Sequence, residues 1–480
     1  MASSDVDMPK RDAWLAATCA AALAANGYQT WVLNNGIFPF TSMTFPLARE
    51  LQTAVGIAVG LFVLLAAMRA PRLLRPRPLL VAMVTCYAVG ICLTRLATGS
   101  PAGVSAGLML LATGRALPFY LTGVALSLLG NGRLVAGAAT TGVLASTLLT
   151  TVLPTPGFGA SLALDALLSL AFAVLLWPTA APALEAFSRA PGGEVQALAS
   201  PRSFLSPSHQ VYVLVFIFSA AFGFALSLRI VRFTPVSDWL ELALMLAVGI
   251  AFAISRERRG SEDALFVAAA LLVVSGLLLT PLDEVAEAAT ANSLLYAGNA
   301  CFKILMYATM AALCSRNPSG TMMVLACAAV ATSAGTFLGA DLGHLCNALL
   351  AARPEAASAV TGAAVLALFA YALTGLSGFS FSATIGGVAP ASPLPEATPA
   401  APSRDELVDA ACDALAAERG LTEREREVLG MLARGHNGYH VRDALTLSYN
   451  TVKTHVKRIY RKLDVHSQQE LIDLVDHRAK

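Results

Sequence analysis

Charge is scarce in this chain. Asp, Glu, Lys and Arg make up 13% of its 480 residues and apolar types 56%, where a soluble domain carries roughly 25% charged residues. That scarcity excludes a soluble protein over most of the length and places the bulk of the chain in lipid. Paired cysteines are also lacking. The eight cysteines (positions 19, 86, 92, 301, 314, 327, 346 and 412) stand singly, with no C-x-x-C and no Cys/His spacing, so a zinc site or redox pair is not expected and they read as small packing residues. Nor does the chain contain a G-x-x-x-x-G-K-[ST] loop, an H-E-x-x-H pair or a G-x-S-x-G turn, which removes the P-loop, zinc-hydrolase and nucleophile-elbow chemistries. No enzyme activity, cofactor or metal is expected.

What the chain does have is long apolar runs. A hydrocarbon core about 30 Å thick needs roughly 20 helical residues. That ruler predicts twelve spans, near residues 13–33, 51–69, 79–98, 102–130, 134–153 and 158–178, then 210–230, 237–255, 264–281, 292–314, 320–340 and 356–378. Residues 179–208 form a longer polar connection, so the layout is six plus six, with halves at about 1–180 and 209–380. The polar N-terminus, MASSDVDMPKRD, precedes a run long enough to be kept as the first span rather than cleaved.

Basic residues set the orientation. With a cytoplasmic N-terminus, the inside segments hold Lys10, Arg11, Arg69, Arg72, Arg75, Arg77, Arg133, Arg189, Arg202, Arg256, Arg258, Arg259 and Arg316, thirteen in all. The outside loops hold four, Arg49, Arg229, Arg232 and Arg353. Both termini are therefore expected in the cytoplasm, in a multi-pass protein of the inner membrane. The clusters Arg69–Arg77 and Arg256–Arg259 follow the second and eighth spans, equivalent places in an internal repeat. This architecture over residues 1–380 resembles the major facilitator superfamily, although MRAPRLLRPRP (68–78) lacks the usual loop signature of that superfamily.

Residues 381–402 hold five prolines and one charge and read as a semi-rigid tether. Residues 403–480 then change character. Ser403 with Glu406 forms a capping box opening one amphipathic helix; Thr422 with Glu425 opens a second, which Gly435 stops. Asn437 caps a short third helix, Ser448 caps YNTVKTHVKRIYRKL, and Ser467 with Glu470 opens the last. Four helices in the core, 421–476, make a helix-turn-helix unit. Residues 403–480 balance 13 Lys and Arg against 13 Asp and Glu, yet no acid occurs between Ala444 and Leu463. Positive charge is gathered on one helix, behind an apolar stripe of Val452, Val456, Ile459 and Leu463, as phosphate attraction requires.

The string LTEREREVL, then Gly435, LS..TVKTH and KLDV.S closely resembles the C-terminal domain of the LuxR family. The matching residues are Leu421, Thr422, Arg424, Glu425, Val428, Leu429, Ser448, Thr451, Val452, Lys453, His455, Lys462, Leu463 and Ser467; Gly438, Arg442 and Gln468 depart from it. The resemblance implies binding to double-stranded promoter DNA. Lys453, Thr454 and Lys457 would face base edges, Arg458 and Arg461 the phosphates, and Ser448, Thr451 and Lys462 would complete the contact set. Leu471, Leu474 and Val475 of the last helix would join a homodimer on DNA.

No soluble input domain precedes this unit, so a signal must be read by the spans. Ionisable residues in a bilayer are functional candidates by default. Arg115 and Lys303 lie mid-span on equivalent helices of the two halves, and a cavity between them would attract an anionic or electron-rich small molecule. The alternative is that Arg115 snorkels at a helix break and Lys303 pairs with a carboxylate such as Asp165. Asp165, Glu241 and Asp341 are candidate proton-coupling acids, and Asn26, Gln29, Tyr296 and Asn299 weaker candidates for a cavity wall. The fold expected is all-α: a polytopic bundle of about twelve spans plus a small helix-turn-helix domain. The function expected is a one-component transcriptional regulator of the membrane, the rival being a secondary transporter with an attached regulatory domain.

Overall fold

The computed structural model describes residues 8–129, 132–189, 209–228, 238–255, 261–280, 285–316, 318–353, 356–375 and 404–478. The tether 381–402, Ser403 and the basic loop 256–259 lie outside them. The chain divides into two compact units, Met1–Leu394 and Pro395–Lys480, and every regular element among the described residues is helical.

In the first unit each of the twelve places read from the sequence holds a helix among its described residues. The first half holds α1 (Met8–Val32), α2 (Ala48–Arg69), α3 (Pro76–Leu96), α4 (Pro101–Gly114) with its continuation α5 (Ala116–Ser127), α6 (Gly132–Val152) and α7 (Phe158–Arg189). The second holds α8 (His209–Ser227), α9 (Asp238–Ser255), α10 (Ser261–Leu279), α11 (Val285–Arg316), α12 (Thr321–Ala352) and α13 (Ala357–Gly375). Among the described residues, seven stretches, including Pro101–Ser127 and Thr321–Ala352, are long and apolar enough to cross a membrane, and four shorter apolar helices accompany them. Lipid offers the backbone no hydrogen-bond partner, so an apolar run has little choice but to be helical.

Small residues decide which helices touch. A Cβ added at Gly339 of α12 would stand 2.0 Å from the Ala220 carbonyl oxygen of α8, and one at Gly335 2.2 Å from that of Phe216; the two backbones run parallel in direct contact, as small-xxx-small stripes permit. The equivalent pair in the first half is α1 with α6, where Gly27 abuts Ser146 and Gly142 abuts Ala20. Third and fourth spans repeat the symmetry: Gly90 meets Gly107 between α3 and α4, and Gly298 meets Val273 between α11 and α10. Across the halves, α2 lies along α12 through Gly56 on Ser333 and Gly60 on Val330, while α6 meets α9 at Gly249. Second span against fifth, on both sides, is the contact pattern of an internal repeat.

Two boundaries run well past the sequence expectation: the eleventh span ends at 340 by composition, yet α12 continues to Ala352. The sixth span ends at 178 by composition, yet α7 continues to Arg189 through Pro178 and Pro182. Each proline removes one ladder hydrogen bond, but Ala180, Ala181, Leu184 and Phe187 are buried, and that packing holds the extension helical.

The second unit contains α14 (Arg404–Arg419), α15 (Glu423–Ala433), α16 (Gly438–Leu445), α17 (Tyr449–Leu463) and α18 (Gln468–Arg478). Its core is Val408, Ala411 and Leu415 from α14, Val428, Leu429 and Leu432 from α15, Val441, Val452, Ile459 and Leu463 from the next two helices, and Leu471 and Val475 from α18. Burial raises the thiol pKa of Cys412, also in this core, to about 11, so it packs as an inert small apolar group.

Candidate nucleic-acid interface and the buried polar centre of the bundle

The local chemistry of the second unit places its surface. Thr422 and Glu425 form the reciprocal capping box that starts α15, and Gly420 and Gly435 bracket that helix with positive φ, +60° and +83°. Asn437 accepts from the His440 N–H at 2.9 Å and starts α16. The turn after α16 passes through Thr446 in the left-handed region, φ 51°, and Ser448 receives the Thr451 N–H to start α17. Three residues between two helices, with the second capped, is a helix-turn-helix.

α17 buries Val452, Ile459 and Leu463, which turns Lys453, Thr454, Lys457, Arg458 and Arg461 outward, all exposed together with Thr451 and Ser448. Among the described residues, no acidic side chain pairs with Lys453, Lys457, Arg458 or Arg461. Lys462 is different. Its Nζ donates to the Gly420 carbonyl and to Glu425 Oε2, both at 2.7 Å, tying the end of α17 to the start of α15. Burial opposes ionisation of Glu425, but the bonds from Lys462 and from the Thr422 N–H outweigh it, and the carboxyl sits below its ordinary value. Lys462 thus ties two helices of the unit together, a role beyond the DNA contact expected of it.

The last helix also departs from expectation. Leu471 and Val475 are 0% and 1% exposed, enclosed in the unit's own core, and only Leu474 of the three keeps accessible surface. Side chains in the monomer core are not available to a partner, so the dimer role assigned to Leu471 and Val475 does not fit their burial. Gln468, where the sequence departs from the LuxR pattern, donates to the carbonyls of Leu432 and His436 at 3.1 and 2.9 Å, and so caps the C-terminus of α15. Sequence reading missed a pair of tyrosines: Tyr439 and Tyr449, at the starts of α16 and α17, stack with centroids 4.7 Å apart although both are exposed.

Residues 419–475 match the family described as bacterial regulatory proteins, luxR family. This segment is a LuxR-family domain. Over 52 residues, 11% of the chain, it is 48% identical to an uncharacterized response regulatory protein, YgeK, of Escherichia coli (strain K12), and 36% identical to the HTH-type transcriptional regulator MalT of Yersinia pestis (strain Pestoides F). The match spans 35% of the first relative and 6% of the second, so the likeness belongs to the LuxR-family domain alone. The bundle is similar to a solved structure of the major facilitator superfamily proton:xylose symporter XylE bound to 6-bromo-6-deoxy-D-glucose, with a TM-score of 0.51 and 12% identity, over 78% of this chain and 98% of that one. At 12% identity this likeness is one of fold alone. Ahead of the LuxR-family domain, α14 is held to it by Asp413–Arg426 and by Asp409–Arg434 at 2.6 Å.

Within the bundle, Arg115 stands at the break between α4 and α5. Its Nε lies 3.0 Å from Asp165 Oδ1 and its Nη2 3.1 Å from Oδ2. Asp165, on α7, is 0% exposed and also accepts from Gln29 Nε2 of α1 at 2.8 Å. Gln29 reaches Ser169 at 2.7 Å, and Ser169 meets the Tyr87 hydroxyl of α3 at 2.5 Å. Asp165 therefore pairs with Arg115 and not with Lys303. Nη1 of Arg115 is buried with no partner. Glu241 of α9 is the acid whose field acts on Lys303. A cleft between the halves is lined by Asn26, Phe119, Thr122, Met306, Tyr307 and Met310, among others; Phe119 and Tyr307 each lie one turn beyond Arg115 and Lys303.

Proposed function

We propose that this protein is a membrane-bound one-component transcriptional regulator, in which the transporter-like bundle (about 1–380) receives a small molecule and the LuxR-family domain (403–480) occupies promoter DNA, with 381–402 as the tether. The observation that carries the reading is the set of exposed basic residues on α17, Lys453, Lys457, Arg458 and Arg461, on a helix whose other face is fixed in the core. A recognition helix must present cations that are not already neutralised.

Lys453, Thr454 and Lys457 read base edges, Arg458 and Arg461 hold phosphates, and Ser448 and Thr451 orient the N-terminal turn of α17. Binding as a homodimer leaves Leu474 and the outward side of α18 as the contact. Both termini lie in the cytoplasm, as the thirteen-to-four distribution of Lys and Arg supports, and the bilayer is the inner membrane. The small molecule occupies the cleft at the central seam, whose wall residues Phe119 and Tyr307 lie one helical turn from Arg115 and Lys303. Because Asp165 cancels the Arg115 charge, that side offers the ligand one unused guanidinium donor, which suits a neutral hydrogen-bond acceptor; Lys303 supplies the remaining cation.

Promoter occupancy in cells, followed by binding of the purified chain to the recovered sequence, tests the regulator. Absence of any preferred DNA sequence would overturn it. Reconstitution into proteoliposomes separates it from a secondary transporter carrying a regulatory domain: a receptor binds the identified molecule without accumulating it.

A further inference from the structure

Glu50 and His344 are 294 positions apart and belong to different halves of the bundle, yet the histidine Nε2 lies 2.8 Å from Glu50 Oε1. Glu50 sits in the first turn of α2 and His344 eight residues before the end of α12. They close the α2–α12 seam that Gly60 on Val330 and Gly56 on Ser333 begin, and they join it by a hydrogen bond between side chains. The Glu50 side chain is 10% exposed, with Oε2 buried and unpartnered, while His344 is 44% exposed. One member is sheltered and the other is reachable by protons.

We propose that Glu50 and His344 form a proton-operated latch between the two halves of the bundle, closed when the imidazole is charged and released when it is neutral. A buried carboxylate is costly unless it is paired. Protonated His344 supplies the opposite charge; neutral His344 leaves Glu50 ionised, half-bonded and sheltered, and separation of α2 from α12 restores its hydration. Histidine is the side chain whose charge changes between about pH 5 and 8.

The other charges on the helices around the pair do not substitute for it. Arg49, beside Glu50, is held over the Phe38 ring at 5.8 Å. Asp341 lies one turn before His344 and is exposed, Arg353 follows the end of α12, and Lys303 is on α11. α4, α5, α8 and α13 contain no Asp, Glu, Lys or Arg; their titratable groups are Tyr120 of α5, His209 and Tyr212 of α8 and Tyr371 of α13. At 32 residues and 1.5 Å per residue, α12 is about 48 Å long against a core of about 30 Å, so the stretch bearing His344 reaches the membrane surface. With the termini cytoplasmic, that surface is the outer one, and the proton read is external.

The test is hydrogen–deuterium exchange on the full chain in lipid nanodiscs at about pH 5.5 and about pH 8, corrected for the intrinsic pH dependence of exchange. Peptides covering 47–53 and 341–353 are the readout. The wild type is expected to lose protection several-fold in both peptides at the higher pH. His344→Lys should stay protected at both values, and His344→Gln unprotected at both. Equal wild-type protection at the two pH values overturns the latch, as does a pH response that survives in His344→Gln. Should a variant not assemble, the wild-type comparison together with Glu50→Gln decides by the same criteria. No DNA enters the measurement, so its failure leaves the regulatory reading standing, and failure of that reading leaves the latch.

Discussion

Arg115 and Asp165 meet through two hydrogen bonds, Nε to Oδ1 at 3.0 Å and Nη2 to Oδ2 at 3.1 Å, at the point where the fourth span breaks. The acid is fully enclosed, so neither charge can be removed alone without stranding the other. Arg115→Gln is expected to cost about 3–5 kcal/mol, the usual penalty for breaking a buried pair. The double variant Arg115→Gln, Asp165→Asn should recover most of that loss. Thermal unfolding of the four proteins in detergent gives the cycle; additive effects would mean the pair is not coupled.

Lys453→Ala and Lys457→Ala should lower preference for the operator by about 1–3 kcal/mol each, the worth of a good base contact. Arg461→Ala should weaken all duplex DNA alike and flatten the dependence of affinity on salt. Titrations of operator and random DNA at three salt concentrations tell the two classes apart. Lys453→Ala with an unchanged preference would mean a different register for α17.

Lys462→Ala should act through stability instead. It removes the partner of Glu425, which is 2% exposed, and should lower the melting temperature of fragment 395–480 more than it lowers intrinsic DNA affinity. The pH dependence follows from the depressed Glu425 pKa. A group held below its unfolded value, about 4.3, stabilises the fold fully above that value and loses the contribution as pH falls through the folded one. The stability gap between wild type and Glu425→Gln should therefore be constant near neutrality and shrink below about pH 4. Denaturant melts across that range measure it, and a gap that widens in acid would reverse the assignment.

Leu471→Ala should destabilise the LuxR-family domain by about 2–5 kcal/mol through a core cavity, since the side chain is 0% exposed. Leu474→Ala should leave the melt nearly unchanged and weaken self-association on DNA. Chemical denaturation and sedimentation of the same samples separate these outcomes, and dissociation caused by Leu471→Ala without loss of stability would restore it to the interface.

Much of this was legible in the sequence because the physics behind it is local. Membrane thickness fixes the length of an apolar run, and capping residues such as Thr422, Asn437 and Ser448 announce helix starts from within a few positions. Side-chain partnership over long separations leaves no such mark. Asp165 could serve Arg115 or Lys303 as far as composition goes, and only the packing of α7 against α5 selects Arg115. Lys462 differs from Lys457 in nothing but its distance from Glu425. The spacing of Leu474 and Val475, three and four positions after Leu471, is the same whether a stripe faces its own core or a second copy. Glu50 lies just before the span read at 51–69 and His344 just past the one read at 320–340, so both read as loop edges and nothing in either stretch joins them.

The glycines of α12 give that helix two unequal sides. Toward α8 its glycines rest on the neighbour's backbone and on the Cβ atoms of Ser219 and Ser227, which have no rotamer freedom, so slip or rotation at that side would collide at once. Toward α2 it presents Ser333, Val330 and His344, side chains with rotamers to spare, to Gly56, Gly60 and Glu50. Any rearrangement of the bundle must then carry α8 and α12 as one beam and appear as a gap along α2. A cross-link between α8 and α12 would be silent, whereas one between α2 and α12 would lock the molecule.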